Sequence, residues 1–286
     1  MKYLNIGCGN RFNKDWINID FNSHHSAVTA HNLLEGIPLQ DGHVEVVYQS
    51  HLLEHFPKDR AQFLLSECMR VLKPGGVLRI AVPDLEGIAR AYLKSLEEAR
   101  TGKERGDSHY EWMMVELLDQ LIRQKSGGKM LEYLSAETIP AKDFIIKRLG
   151  VEASNIIDNA TASNTHEEAG ASNKASSSSF SHYLKKVIRC PGNWREYLLH
   201  YMIGNEYEAL QLGRFRCAGE IHQWMYDNYS LKKALNAEGF TDIIQRSATE
   251  SYIPDWQQFN LDIEPDGSIY KPDSLYMEGL KPKNIS

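Results

Sequence analysis

The chain has 286 residues, 42% hydrophobic and 24% charged, with 32 Lys and Arg against 38 Asp and Glu and a net charge of −6. That length bounds it to one large domain, or to one domain with a sizeable insertion. The acidic balance, with no basic block, weighs against nucleic acid or an anionic membrane as partner. No apolar stretch approaches the ~18–20 residues of a membrane span. Cys8, Cys68, Cys190 and Cys217 are scattered, without C-x-x-C pairs or a disulfide framework, and MKYLNIGCG lacks the charged and apolar regions of a secretory leader. The cytoplasm is the expected location.

From Met1 to about Leu96 the elements alternate. Tyr3–Ile6 and Trp16–Ile19 read as short strands, and Val44–Tyr48 as a strand covered on both faces. Pro57–Leu72 reads as a helix, with Ala61, Leu64, Leu65, Cys68 and Leu72 on one face. Lys73-Pro74-Gly75-Gly76 stops it, Val77–Val82 is a further strand, and Pro83-Asp84 opens another helix, with Asp84 as its N-cap. Strand–helix–strand–helix at this spacing predicts an α/β fold with a doubly wound, mostly parallel sheet.

The middle of the chain has no clear strand. Trp112–Ile122 reads as a helix, and the polar segment 154–181 as a disordered loop. Its flanks, with Trp194, Tyr197, Leu198, Tyr201 and Met202, are expected to pack as helices over the main domain. The expected organisation is a cofactor-binding part at 1–99, a helical lid at 100–220, and a completion of the first part at 221–286. In that last part, Leu231–Asn236 is helical, and Thr241–Ser247 and Ser274–Leu280 are successive strands, which predicts an antiparallel last strand.

The stretch LNIGCGNRFNKDWINID, Leu4 to Asp20, carries the first chemistry. Glycines after a strand allow positive φ and the close approach of a ligand, and an acid ending the next strand suits a ribose diol. The dinucleotide pattern is incomplete, because Phe12 stands at its third glycine, so NAD and FAD are poorly supported. Only Gly7 to Asp15 separate the two strands, where a helical crossover needs about 10–12 residues. The first helix should therefore be about one turn or irregular, and that side of the pocket less covered.

Read together, LNIGCGN, WINID, IPLQDGHVEVVYQSHLLEHF and LLSECMRVLKPGGVLRIAVPDL resemble the class I S-adenosylmethionine-dependent methyltransferases. The likeness is to the bacterial group with LNLGCG and S-H-x-L-E-H motifs, and it extends to IHQWMYDNYSLKKALNAEGF and SLYMEGLKP. It spans roughly residues 2–96 and 220–282. The resemblance implies a Rossmann-like methyltransferase fold, with S-adenosylmethionine as cofactor and S-adenosylhomocysteine as product. Gly7, Cys8 and Gly9 would line the methionine end, and Asp20 would bind the ribose. Asn32 and Leu33 would flank the adenine, Asn32 standing where the family has an acid. Gln49, Ser50 and His51 would face the sulfonium and the acceptor.

His51-Leu-Leu-Glu-His55 also matches H-x-x-E-H, the signature of a zinc hydrolase. That site needs a continuous helix, and Pro57 suits a helix start instead. No metal site is therefore expected. The candidate general bases are His51 and His222, which stands beside Trp224 and Tyr226. The expected reaction is methyl transfer to a hydroxyl, of a sugar or glycoconjugate, or to another small-molecule acceptor, with the oligomeric state open. The alternatives are a non-catalytic cofactor-binding scaffold and the zinc hydrolase.

Overall fold

A computed structural model describes residues 1–23, 25–168 and 194–283, with backbone alone over 161–168. Its framework is one seven-stranded sheet in the order β3-β2-β1-β4-β5-β7-β6. The strands are β1 (Tyr3–Ile6), β2 (Ile17–Asp20), β3 (Val28–Ala30), β4 (Val44–Ser50), β5 (Leu72–Pro83), β6 (Thr241–Arg246) and β7 (Ser274–Leu280). The first five pair in parallel, and β7 runs antiparallel to both β5 and β6. The mostly parallel sheet and antiparallel last strand agree with the sequence reading. Lys73-Pro74-Gly75-Gly76 differs from it. These residues lie inside β5, where the pairing with β4 skips from Leu72 to Val77 as an irregularity.

Side chains alternate across β5. Leu78, Ile80 and Val82 join a core with α1 (Lys58–Val71), through Ala61, Leu64, Leu65 and Cys68, and with α9 (Asn228–Ala237), through Leu231 and Leu235. A capping box between Asp227 and Ser230 starts α9. This face is covered by helices in the usual way.

The opposite face is covered differently. No helix forms between β1 and β2, as their spacing predicts. The expectation of a less covered side is overturned, however. The segment 248–263 lies there and brings Ile253, Trp256 and Leu261 against Trp16, Val46, Tyr48 and Val77. Trp16 meets Tyr3, Tyr48 and Phe259 edge-on, with ring centroids 5.0–6.4 Å apart.

Arg79, fully buried on β5, fastens this segment. Its guanidinium contacts Asp262 at 2.7 Å and Glu278 at 2.8 Å. It also donates to the carbonyls of Ser247 and Glu250, and it lies over the Trp256 ring. Glu278 is its cross-strand partner on β7, and Tyr48 donates to the second oxygen of Asp262 at 2.6 Å.

The chain leaves the sheet at Asp84 and returns at Tyr226, and the two residues are paired. Asp84 stands at the N-cap of α2 (Leu85–Arg100), but its side chain accepts no capping bond. α2 packs on α3 (Gly106–Ile122). The layer continues through α4 (Gly128–Leu134), α5 (Lys142–Leu149) and α6 (Val151–Glu168), around buried Trp112, Met113 and Ile145. α6 corrects the loop expected from residue 154. Its low hydrophobicity hides a short apolar edge, Ala153 and Ile157, that is buried against the layer. The rest of that expected loop lies outside the described residues.

The flanking segment does form helices, α7 (Trp194–Ile203) and α8 (Glu206–Arg216). Neither has a fully buried residue, and Tyr201 is 88% exposed. Among the described residues, no helix is long and apolar enough to cross a membrane.

Removing one partner from a buried ion network leaves uncompensated charge and costs about 3–5 kcal/mol. Arg79→Met is expected to lose that much in urea denaturation. Replacing Arg79, Asp262 and Glu278 together by apolar residues should recover much of it. A single-variant loss within ~0.5 kcal/mol of zero, the range of surface changes, would sink the clamp assignment.

Candidate active site

A cavity of about 570 Å³ opens at the C-terminal ends of β1 and β4, where doubly wound sheets place their ligands. Asn5, Gly7, Cys8, Gly9, Asn10 and Arg11 form one wall. Ser50 and His51 form a second, and Glu264, Tyr270, Lys271 and Asn155 of α6 close the third.

The two glycines of the turn have different reasons to be there. Gly7 has φ 63°, and a Cβ on it would lie 2.6 Å from the Leu52 side chain. Gly9 has φ 51°, and a Cβ on it would meet nothing within 4 Å. Gly7 thus serves packing, while Gly9 leaves backbone open to a ligand. Asp20 binds this turn, accepting from the Gly9 N–H at 2.8 Å with one oxygen and from the Asn22 N–H with the other. Burial, with Asp20 adding, pushes the Cys8 thiol up to about 11. Cys8 is therefore a neutral thiol and no nucleophile.

Arg11 holds the loop in place of a helix. It donates to the carbonyls of Leu261 and Ile263, pairs with Glu264 at 2.9 Å and lies 3.9 Å over the Tyr270 ring. Lys271 pairs with Glu152 of α6 at 3.1 Å, which ties the helical layer to the cavity rim. The wall is polar, and its charges are matched.

His51 directly follows β4 with φ 50°, an uncommon conformation for a residue with a side chain and a frequent mark of functional sites. Its Nε2 lies 2.8 Å from Ser274 Oγ, and its Nδ1 3.3 Å from Glu54 Oε1. Burial acts to raise the fully buried Glu54 carboxyl, but His51, His222 and His55 outweigh it and hold it down at about 2. An anionic Glu54 beside Nδ1 favours the Nδ1–H tautomer of His51 electrostatically, which leaves Nε2 as the proton acceptor.

The cavity brings together Gly7, Cys8, Gly9, Ser50 and His51. The other expected residues lie elsewhere. Asn32 caps the short helix Leu33–Glu35, accepting from the Leu34 N–H, and Leu33 is a core residue. Gln49 is fully buried next to Ser50, and both its amide atoms are without partners among the described residues. His222 packs against His55 at 4.9 Å between ring centres, and burial, opposed by Glu54, lowers it to about 3.

Sequence reasoning missed Arg11, Asn155, Glu264, Tyr270, Lys271 and Ser274. It also missed Phe21, which follows Asp20 and is 69% exposed. An aromatic directly after the ribose acid is a signal that could have been read.

The H-x-x-E-H stretch is not one helix. His51 follows the end of a strand, Leu53–His55 is a short 3-10 turn, and α1 starts only at Lys58. The two histidines do not share a helical face as the zinc hydrolase reading requires.

A family model described as "Methyltransferase domain" matches residues 4–80. Residues 4–80 are thus similar to a methyltransferase domain. This segment spans β1 to the middle of β5 and carries the glycine turn, Asp20 and His51. A probable S-adenosylmethionine-dependent methyltransferase of Mycolicibacterium smegmatis is 46% identical over 54 residues. That stretch is 19% of this chain, and it spans a fifth of the length of that relative. Among solved structures, a SAM dependent methyltransferase from Archaeoglobus fulgidus is similar at 13% identity and TM-score 0.37, over 98% of this chain and 86% of that one. A possible histamine N-methyltransferase from Thermotoga maritima is similar at 11% and 0.36, over 98% and 82%.

The methyltransferase class implies S-adenosylmethionine, and the residues present fit it. Backbone at Gly9 is open, and Asp20 ends β2 next to that turn.

Asp273 adjoins Ser274, and burial pushes its carboxyl up to about 6, with His51 opposing. A carboxyl raised in the folded state favours folding below its unfolded pKa, and that contribution is lost as pH rises through the folded value. Its own contribution to stability should therefore fall between about pH 4 and about pH 6. Thermal melts should show Asp273→Asn gaining on the wild type as pH rises across that window. A constant difference between the two proteins would refute the assignment.

Proposed function

We propose that this chain is an S-adenosylmethionine-dependent methyltransferase that modifies a hydroxyl of a small polar acceptor, with saccharides as the substrate class. The observation that carries the reading is His51, oriented by Glu54 on one side and facing a polar cavity beside an open glycine turn. The cofactor, when bound, supplies an electrophilic methyl group, so the protein mainly aligns two partners and excludes water.

Gly7, Cys8 and Gly9 would take the methionine end, Asp20 the ribose, and Phe21 the adenine face. His51 Nε2 now accepts from the Ser274 hydroxyl, given an Nδ1–H tautomer. An acceptor hydroxyl in Ser274's position would donate to the same atom and lose its proton there as the methyl group arrives. Glu54 would stabilise the imidazolium that results. His222 suits this role less, since it is not among the residues that line the cavity and burial disfavours the imidazolium that a base must form. Asn5, Asn10, Asn155, Glu264 and Lys271 provide the hydrogen-bonding wall that a hydroxyl-rich acceptor needs. Matched charge around them supports an uncharged acceptor.

Calorimetry with S-adenosylmethionine and S-adenosylhomocysteine tests the cofactor. Asp20→Asn should weaken both by at least ~1 kcal/mol, the worth of a charged hydrogen bond. No binding of either compound to the wild type would sink the reading. Against a panel of saccharide acceptors, His51→Ala should lower kcat by about 10²–10⁴, the range for general base catalysis, with cofactor affinity retained. Cofactor binding without turnover on any acceptor would favour the scaffold alternative.

A further inference from the structure

Outside the cavity, Glu54 is the most exposed to question of the buried groups. It is fully buried, and neither carboxylate oxygen has a hydrogen-bond partner among the described residues; His51 Nδ1 stands 3.3 Å from Oε1. A buried anion in this state is costly without a cation. Two more donors face it. One ligand atom each from Glu54, His55 and His222 lies within 4.8 Å of the others.

The imidazoles are already oriented. His55 Nδ1 lies 3.3 Å from the Ile221 carbonyl, and that bond requires the proton on Nδ1. His222 Nδ1 lies 3.5 Å from the Met225 sulfur, a weak acceptor that favours the same tautomer. Both Nε2 lone pairs are then free to coordinate, with the outer N–H bonded as in known metal-ligating histidines. The backbone fixes both halves. Gln223 and Trp224 donate to the Glu54 carbonyl at 2.7 and 3.2 Å, and His222 donates to the Gln120 carbonyl at 3.0 Å.

We propose that Glu54, His55 and His222 bind one divalent transition ion of the zinc class, which clasps the returning end of the helical insertion to the turn after β4. The donor set is two imidazoles and a carboxylate, which suits zinc and leaves a fourth position for water. Tetrahedral zinc at about 2.0–2.1 Å from each donor needs about 3.4 Å between donor atoms. Side-chain movements of about an ångström close the cluster to that size. Glu54 divides its oxygens, Oε1 toward His51 and Oε2 toward the ion. The site differs from the H-x-x-E-H hydrolase pattern, since the second histidine comes from residue 222 and the glutamate is a ligand. It shares Glu54 with the orientation of His51, but ion binding and cofactor binding are read separately, so either proposal can fail alone.

The test uses the untagged full chain, stripped with chelator. Titration with Zn²⁺ by calorimetry and with Co²⁺ by visible absorption should each give one equivalent. The Co²⁺ spectrum should show the intense bands of a low-coordinate nitrogen and oxygen site, and Zn²⁺ should raise the melting temperature. His55→Ala alters a partly exposed side chain and Glu54→Gln keeps the shape of the carboxylate. Each should weaken both ions by at least the 10–100-fold that outer-shell changes cost. Calorimetry with S-adenosylhomocysteine on the same samples reports the cofactor site separately. Absence of saturable binding of both ions would overturn the proposal. Unchanged binding in a folded His55→Ala protein would overturn it as well.

Discussion

The structure depends on a guanidinium buried in the middle of a β-sheet. Arg79 faces the side of the sheet from which helices are missing, and its two carboxylate partners come from positions far along the chain, 262 and 278. In a low-dielectric setting the position of a charge is set by its counter-charges. Asp262 and Glu278 therefore fix how segment 248–263 crosses the strands. With that segment fixed, Trp256 and Leu261 cover Trp16, Tyr48 and Val77, and the sheet is closed on both faces.

The same segment shapes the cavity. Beyond Asp262 the chain turns through Glu264, Tyr270 and Lys271, which form the wall facing the glycine loop. A glycine turn after the first strand of a doubly wound sheet is ordinarily steadied by the helix that follows it. Here Arg11 takes over, reaching the carbonyls of Leu261 and Ile263. The short crossover from β1 to β2 and the long C-terminal segment are thus two halves of one arrangement, the second filling the space that the first leaves. α6 completes the cavity through Asn155 and the Glu152–Lys271 pair.

Local signals in the sequence revealed the sheet and much of the cofactor turn. Apolar runs predicted β1, β4 and β7 to within two residues at each end, and Gly7 to Asp15 was too short for a helix. What stayed hidden depends on contacts between distant residues. Arg79 lies within an apolar strand, and nothing near it announces Asp262 or Glu278. The helix at Val151–Glu168 is polar enough to read as a loop, because few of its side chains are buried. Asn32 and Leu33 were assigned by position after β3, yet their side chains serve a helix cap and the core. Glu54 was visible only as part of a motif. Its meeting with His222 depends on a chain that leaves the sheet at Asp84 and returns beside its point of departure.

The placement of Arg79's partners has a consequence for how the protein is made. A ribosome delivers β1 to β5 long before residues 247–278 exist. Until those residues emerge, Arg79 has no counter-charge, Trp16 and Tyr48 face water, and β5 has an open edge where β7 belongs. The methyltransferase segment 4–80 is therefore a recognisable sequence unit without being an independent folding unit. The nascent sheet has to wait, with its apolar face uncovered, through the synthesis of the whole helical insertion. That interval is where a chaperone would be needed, and where truncated chains would aggregate.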